Sequence, residues 1–355
     1  WEGPFGDHTG YYSLPDFYPR FHVTAITHKK DAIYPATIVG IPPQEDAWIG
    51  KATERIFLAP IKMTMVPEIK DMNMPVEGVF HNLVITTIDK EYAGQGQKVM
   101  NAMWGAGQMM FNKILVLADG NVKIDDYKAL AKYVFDNVNP ATDIYFSQGP
   151  MDVLDHSCSK LGFGGKMCID GTKKWEEEMM MPLTPFKLNA AFDAAALQKQ
   201  YPEIASLNDK LAREWEIPVL FVAMDKQRKG HVEELHAALC KEQGLQGIKM
   251  ILYVEHTVDA NDIADVLWRF CNNLDPRRDH FYGGADKAIL GLDGTRKTKA
   301  LDGFERPWPN VIAADAKTIE AVDAKWSQLN LGALIKSPSL KYQHQMYGEE
   351  AQVME

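Results

Sequence analysis

Residues 84–94, VITTIDKEYAG, return in outline 136 positions later as LFVAMDKQRKG at 220–230. Without a gap, KILVLADGNV (113–122) then lies on KMILYVEHTV (249–258), and DNVNPATD (136–143) on NNLDPRRD (272–279). Ten residues are identical at this offset (Asp89/Asp225, Lys90/Lys226, Gly94/Gly230, Ala102/Ala238, Lys113/Lys249, Val122/Val258, Asp126/Asp262, Asn137/Asn273, Pro140/Pro276, Asp143/Asp279), where ordinary composition gives roughly four. IDGTKK (169–174) recurs as LDGTRK (292–297). Apolar runs, helix phases and turn residues coincide along with the identities, so the chain is expected to carry a duplicated structural unit.

The unit itself alternates strand and helix patterns: LVITTI, then GQKVMNAMWGAGQMM, KILVLAD, DDYKALAKYVFDNV and DIYFS. That order predicts a largely parallel sheet covered by helices, an α/β class within an α+β whole. Upstream, FHVTAITHKKDAIYPATIVGIPP alternates and is rich in Val, Ile and Thr. It predicts two antiparallel strands, 21–27 and 33–39, turning at His28 to Asp31. A helix follows through Trp48, Ala52, Ile56 and Leu58, opened by acidic residues and expected to break at Pro60 and Pro67. The segment 316–335 has apolar residues at helical intervals.

Composition excludes some functions. The formal net charge is -10 and no Lys/Arg cluster interleaves with aromatics, so nucleic acid is not expected as a partner. Cys158, Cys168, Cys240 and Cys271 stand apart without a C-x-x-C pair; they read as small buried hydrophobes of a reducing, cytoplasmic compartment rather than as zinc ligands or disulfides. The methionines concentrated in NAMWGAGQMM and EEEMMMP read as gap-filling core. GFGGK (162–166) lacks the length and hydroxyl residue of a phosphate-binding loop and reads as a tight turn. His231 and His236, five apart, miss the spacing of a helical metal pair and read as exposed helix histidines. DHSCS (155–159) offers nucleophile, base and acid together, but adjacent residues rarely converge as a triad.

The chain opens on WEGPFGDHTGYY. Glu2 and Asp7 are separated by Gly and Pro, so they cannot share a helical face; a folded-back loop would bring both to one cavity. Carboxyls held close split their proton affinities, and one can then donate while the other stays ionised. The competing reading is a solvated acidic loop at a frayed terminus.

EGPFGDHTGYY resembles a signature of the UbiD family of decarboxylases. The likeness continues through HKKDAIYPATIVGIPPQEDAWIGKATERIFL, PEIKDMNMPVEGVFHNLVITTIDKEYAGQGQKVM, KILVLADGNVKIDDYKAL and GGKMCIDGTKKW. The resemblance implies part of a split β-barrel flavin-binding domain and a carboxy-lyase acting on an aromatic or α,β-unsaturated acid. It further implies prenylated FMN, Mn2+ and K+ as cofactors, and a flavin prenyltransferase as cofactor supplier. Glu2 would pair with an arginine and Asp7 would be the acid/base, with His8 and Ala36 lining the substrate pocket. A homo-oligomer, dimer or hexamer, is implied, and a prenylated substrate would add peripheral contact with a membrane. The family's arginine and metal ligands precede the EGPFG motif, so the chain is expected to lack the N-terminal half of its active site and to be inactive alone. WGAGQMMFN, where some relatives carry a phosphate-binding lysine, has no basic residue. The domain organisation implied is 1–80 barrel part, 81–180 α/β domain, 181–310 duplicated α/β unit and 311–355 C-terminal helix and tail. Two alternatives stay open: a non-catalytic α/β oligomerisation module, and a flavin oxidoreductase sharing the split barrel.

Overall fold

The computed structural model describes residues 1–353. Two compact units emerge, one of Ile49–Arg306 and one of Trp1–Trp48 with the stretch from Pro307 onward.

In the larger unit the expected duplication is explicit. The first sheet contains β1 (Ile69–Asn73), β2 (Leu83–Ile88), β3 (Ile114–Asp119), β4 (Ile144–Pro150) and β5 (Phe163–Asp170) in the order β1-β2-β3-β5-β4, and α2 (Gln95–Trp104) and α3 (Tyr127–Asp136) follow β2 and β3, with α1 (Glu45–Thr64) ahead of β1. The second contains β6 (Ile204–Asn208), β7 (Val219–Met224), β8 (Met250–Glu255), β9 (His280–Gly283) and β10 (Ile289–Asp293) in the matching order β6-β7-β8-β10-β9. Its helices are α4 (Ala194–Gln200), α5 (Lys210–Glu214), α6 (His231–Leu239) and α7 (Ile263–Asn273), with α8 (Lys299–Asp302) beyond. In each sheet three central strands run parallel and both edges run antiparallel, and even the register slip in β1 (Ile69/Asp71) has its counterpart in β6 (Ile204/Ser206). The near-continuous apolar runs of β2, β3, β7 and β8 are what strands covered on both faces require. Gly94 and Gly230 precede α2 and α6 with φ of 81° and 73°, a conformation that glycine reaches without steric cost.

One apolar cluster binds the two copies together. It draws Ile85, Ile114 and Ala118 from the first sheet, Phe221, Ala223 and Leu252 from the second, and Leu130, Val134, Val266 and Phe270 from α3 and α7. Separate clusters cover the outer faces under α2 and under α6.

Several sequence expectations need correction. Residues 21–27 and 33–39 form no strands, and Phe21, Ile26, Ile33 and Tyr34 are exposed. Alternation only suits a sheet surface; the ladder must come from a neighbouring strand, and among the described residues none lies alongside, nor does a barrel close. α1 passes through Pro60 to Thr64. The bond that proline removes belongs to the carbonyl of Ile56, an exposed residue, and Thr64 Oγ1 donates to the Pro60 carbonyl at 2.7 Å. GFGGK begins with a turn at Gly162 but runs into β5; a side chain at Gly165 would collide with the Asp275 carboxylate and the Arg277 backbone. Met179 and Met180 are exposed rather than core. The 316–335 segment stops being α-helical early: α9 is Ala316–Lys325, followed by a 3-10 turn at Trp326–Gln328 and positive φ at Asn330 and Gly332.

His231 and His236 are buried, not exposed. His231 occupies the place of Gln95 in the first copy: Gln95 Oε1 accepts from Glu91 N at 2.6 Å, and His231 Nδ1 accepts from Gln227 N at 3.2 Å. His236 Nδ1 meets the Tyr253 hydroxyl at 3.0 Å, and burial pushes its imidazole down to about 4. Helical spacing set them on α6, but the packing of α6 on its sheet decided which of its faces is inside. Cys158, Cys168 and Cys271 are buried and Cys240 half-buried, all as free thiols, with burial pushing Cys240 up to about 11. Among the described residues no helix is long and apolar enough to cross a membrane.

Candidate active site

The opening motif folds as an irregular hairpin. Glu2 and Asp16 exchange both backbone hydrogen bonds, at 2.9 and 3.1 Å, and Gly6 bridges Tyr12. Gly10 N closes the tip by donating to Asp7 O at 3.0 Å, while Ser13 ties the arms, its N donating to Phe5 O and its Oγ accepting from Phe5 N. The hairpin is held against a strand-like stretch of the same unit: Tyr12 N donates to Asn310 O, and Ile312 N to Gly10 O. That stretch includes β11 (Trp308–Pro309), which pairs antiparallel with β12 (Gln352–Val353). Asn310 is buried and fixes the far side, its Nδ2 donating to the carbonyls of Tyr347 and Glu350.

This geometry separates the two carboxylates of the motif. Glu2 sits at the open end with its side chain exposed, whereas Asp7 sits at the tip with its side chain only 13% exposed. Asp7 and His8 come together: Asp7 Oδ1 accepts from His8 N at 2.7 Å and faces His8 Nδ1 at 3.0 Å. Asp7 Oδ2 is buried and has no hydrogen-bond partner. Ala36 lies in exposed, irregular chain.

Sequence reasoning gave no weight to another carboxylate of this unit. Asp46, in the first turn of α1, is half-buried, and its Oδ2 is also buried without a partner. Burial pushes its carboxyl above the ordinary range; the His8 charge opposes this, and the Asp7 and Glu45 charges reinforce it. The signal was present in PQEDAW as acidic residues opening a helix, which by itself says only that the helix dipole is complemented.

The larger unit holds a second polar group that the sequence could not assemble. Lys113 and Asp155 form a buried ion pair at 2.7 Å. Lys113 Nζ also reaches Ser157 Oγ at 3.1 Å and the carbonyls of Cys271 and Asn272 at the end of α7. Ser157 Oγ lies 2.6 Å from Asp155 Oδ1. So Asp155 and Ser157 of DHSCS do converge, but Lys113, Asp155, His156 and Ser157 are all buried. Burial would raise the Asp155 carboxyl, yet the Lys113 charge and hydrogen bond hold it below the usual range; burial pushes His156 down to about 3. The arrangement is a structural knot, since a nucleophile needs an exposed approach.

Two family profiles match the chain. The 3-octaprenyl-4-hydroxybenzoate carboxy-lyase Rift-related domain covers residues 1–42, and the C-terminal domain of the same carboxy-lyase covers 47–171 and 186–294. The chain belongs to the UbiD family. A relative from Archaeoglobus fulgidus, described only as an uncharacterized protein, is 53% identical over 178 residues, covering 50% of this chain and 37% of its own length. One from Helicobacter pylori is 35% identical over 326 residues, covering 91% of this chain and 50% of its own. The chain thus spans half or less of the length of these relatives. Among solved structures it is similar to the vanillic acid decarboxylase of Sedimentibacter hydroxybenzoicus in closed form, with 24% identity, 56% of this chain, 41% of that one and a TM-score of 0.47. It is also similar to the UbiD-class enzyme HmfF of Pelotomaculum thermopropionicum in complex with FMN, with 23% identity, 52% and 41% coverage and a TM-score of 0.41.

Proposed function

We propose that this UbiD-family chain forms part of a carboxy-lyase that removes, or in reverse adds, carbon dioxide on an aromatic or α,β-unsaturated acid such as a hydroxyaryl acid. The observation that carries the reading is Asp7, with one oxygen fixed by His8 and the other buried and unpartnered. A buried carboxyl oxygen without a partner is costly unless a proton, substrate or further group meets it. Prenylated FMN, supplied by a flavin prenyltransferase, would when bound provide the electron sink for the carbon that loses its carboxylate.

The chain's own residues then divide the remaining work. Asp7 delivers a proton to the carbon left behind and recovers one afterwards, from a position that the Gly10 turn and the Asn310 anchor hold fixed. His8 donates its backbone N–H to Asp7 Oδ1, which orients the carboxyl and leaves Oδ2 as the atom that carries the proton. Glu2, exposed at the open end of the hairpin, would pair with an arginine. Among the described residues no three His, Cys, Asp or Glu side chains are grouped to hold a metal ion.

The test uses the full-length protein loaded with prenylated FMN and a panel of hydroxybenzoates and acrylic acids. Asp7→Asn is expected to lower carbon dioxide release at least 100-fold while the flavin absorbance of the bound cofactor is retained. An unchanged rate removes Asp7 from the chemistry.

A further inference from the structure

The hairpin that carries Asp7 docks on residues 308–312, and those residues also hold a second segment, Tyr347–Val353, from far along the chain. The stretch changes partner along its length. Trp308 and Pro309 pair with Val353 and Gln352, and Asn310 N donates to Ala351 O at 2.8 Å. From there the partner is the hairpin: Asn310 O accepts from Tyr12 N at 3.0 Å, Val311 bridges Tyr11, and Ile312 N donates to Gly10 O at 2.9 Å. In a regular strand the N–H and C=O of one residue serve the same neighbour. Asn310 is therefore the crossover, with its N–H on the 347–353 segment and its C=O on the hairpin.

The Asn310 side chain commits to the same segment. Asn310 is 1% exposed, and its amide pairs as a peptide group would. Oδ1 accepts from Tyr347 N at 2.9 Å, while Nδ2 donates to Tyr347 O at 3.1 Å and to Glu350 O at 2.6 Å. Gly348, with φ of 80°, makes the turn between those two carbonyls. Removing the segment would strip a buried amide and a main-chain N–H of their partners, a cost relieved only if 308–312 shifts. Such a shift reaches Asp7 through two bonds, Ile312 N to Gly10 O and Gly10 N to Asp7 O.

We propose that Tyr347–Val353 is a positioning element for Asp7: through Asn310 it fixes residues 308–312, and through them it sets where the Asp7 carboxyl sits. Its effect on turnover rests on the carboxy-lyase reading; the mechanical coupling does not. A displacement of about 1 Å far from the chemistry can cost about 100-fold in rate, so a loosened hairpin lowers kcat.

Hydrogen exchange read by mass spectrometry on the full-length protein, without cofactor, tests the coupling. Asn310→Ala removes the side-chain bonds. Tyr347→Pro removes the N–H that Oδ1 accepts, and Met346, with φ of -77° and ψ of 144°, already has the backbone that precedes a proline. Tyr347→Ala, which keeps that N–H, is the baseline for the proline variant. Exchange in residues 5–13 is expected to quicken at least 10-fold in Asn310→Ala over the unmodified chain and in Tyr347→Pro over Tyr347→Ala, with residues 84–88 and 220–224 unmoved. Faster exchange at 347–353 with 5–13 unchanged overturns the proposal, and so does a loss of protection spread evenly over the whole chain, which would mean general stabilisation only. With the protein loaded with prenylated FMN, Asn310→Ala is expected to lower kcat at least 10-fold and to leave KM within about threefold; an unchanged kcat with a loosened hairpin removes the positioning role. A loosened hairpin in a protein that releases carbon dioxide from no acid would leave the coupling standing and sink the carboxy-lyase reading instead.

Discussion

The two α/β copies in the larger unit share strand order, register slip and helix start, yet they treat one equivalent residue differently. Lys113 and Lys249 begin the central strands of their sheets, and each reaches across to the C-terminal carbonyls of the other copy's helix: Lys113 to Cys271 and Asn272 of α7, Lys249 to Phe135 and Val138 at the end of α3. Such reciprocal capping is what an interface with two-fold character produces, and it satisfies carbonyls that a helix end otherwise leaves orphaned. Only the first copy has a long connection, residues 151–162, before its last strand; the second has residues 284–288. That longer loop brings Asp155 to Lys113 and turns a capping lysine into half of a buried ion pair. Duplication therefore preserved the contact geometry, while a loop insertion decided the electrostatics.

The largest expected effect breaks the comparison at this lysine. Lys113→Met would leave Asp155 charged and buried, costing about 3–5 kcal/mol. Lys249→Met loses only neutral carbonyl bonds and should cost about 1–2 kcal/mol. Urea unfolding of the two variants measures the difference; equal losses would show that Asp155 is not an uncompensated charge.

The next effect is acid sensitivity. His156 and His236 are pushed down to about 3 and about 4, so both are neutral in the fold and bind a proton more readily once unfolded. Their contribution is complete above the ordinary histidine range and is lost as pH falls from about 6.5 toward 4, at up to ~1.4 kcal/mol per pH unit for each histidine. In the first copy the counterparts of His236 and Tyr253 are Met100 and Leu117, both buried. Replacing His236→Met and Tyr253→Leu together should flatten this part of the stability curve, read as the urea midpoint between pH 7 and pH 4. An unchanged slope would place the sensitivity elsewhere.

Smaller still is the hydroxyl of Tyr282, which donates to Pro140 O at 3.1 Å across the copies. The first copy has Phe146 there, stacked on His280 with ring centroids 3.8 Å apart. Tyr282→Phe should therefore cost about 1 kcal/mol, seen as a shift in the urea midpoint without a change in slope. The smallest effect belongs to the exposed pair Arg228–Glu234, which the first copy lacks: Arg228→Ala should change stability by no more than about 0.5 kcal/mol, near the error of the same measurement.

Legibility followed range. The apolar runs of β2, β3, β7 and β8 and the patterns of α2, α3 and α7 were readable because their burial is periodic in the chain. β5 and β10 were harder, but the repeated Asp-Gly-Thr-x-Lys marks their ends: Asp170 Oδ1 accepts from the Thr172 N and hydroxyl, and Asp293 Oδ1 does the same from Thr295, at nearly equal distances. At the candidate site the motif gave Glu2, Asp7 and His8, but it could not say that the hairpin separates Glu2 from Asp7. It was equally silent on Asp46, and the alternation at 21–39 wrongly promised strands.

By itself the sequence determined the duplicated α/β architecture, the order of its elements and the family motif that carries Asp7, because period, turn chemistry and repetition are local properties of the chain. The tertiary structure decided that Lys113 meets Asp155 while Lys249 meets only carbonyls, that His231 and His236 face inward, and that the hairpin largely buries the Asp7 side chain while leaving Glu2 exposed. Those outcomes depend on which surfaces pack together, and a side chain's spacing along the chain carries no information about the partner that packing brings to it.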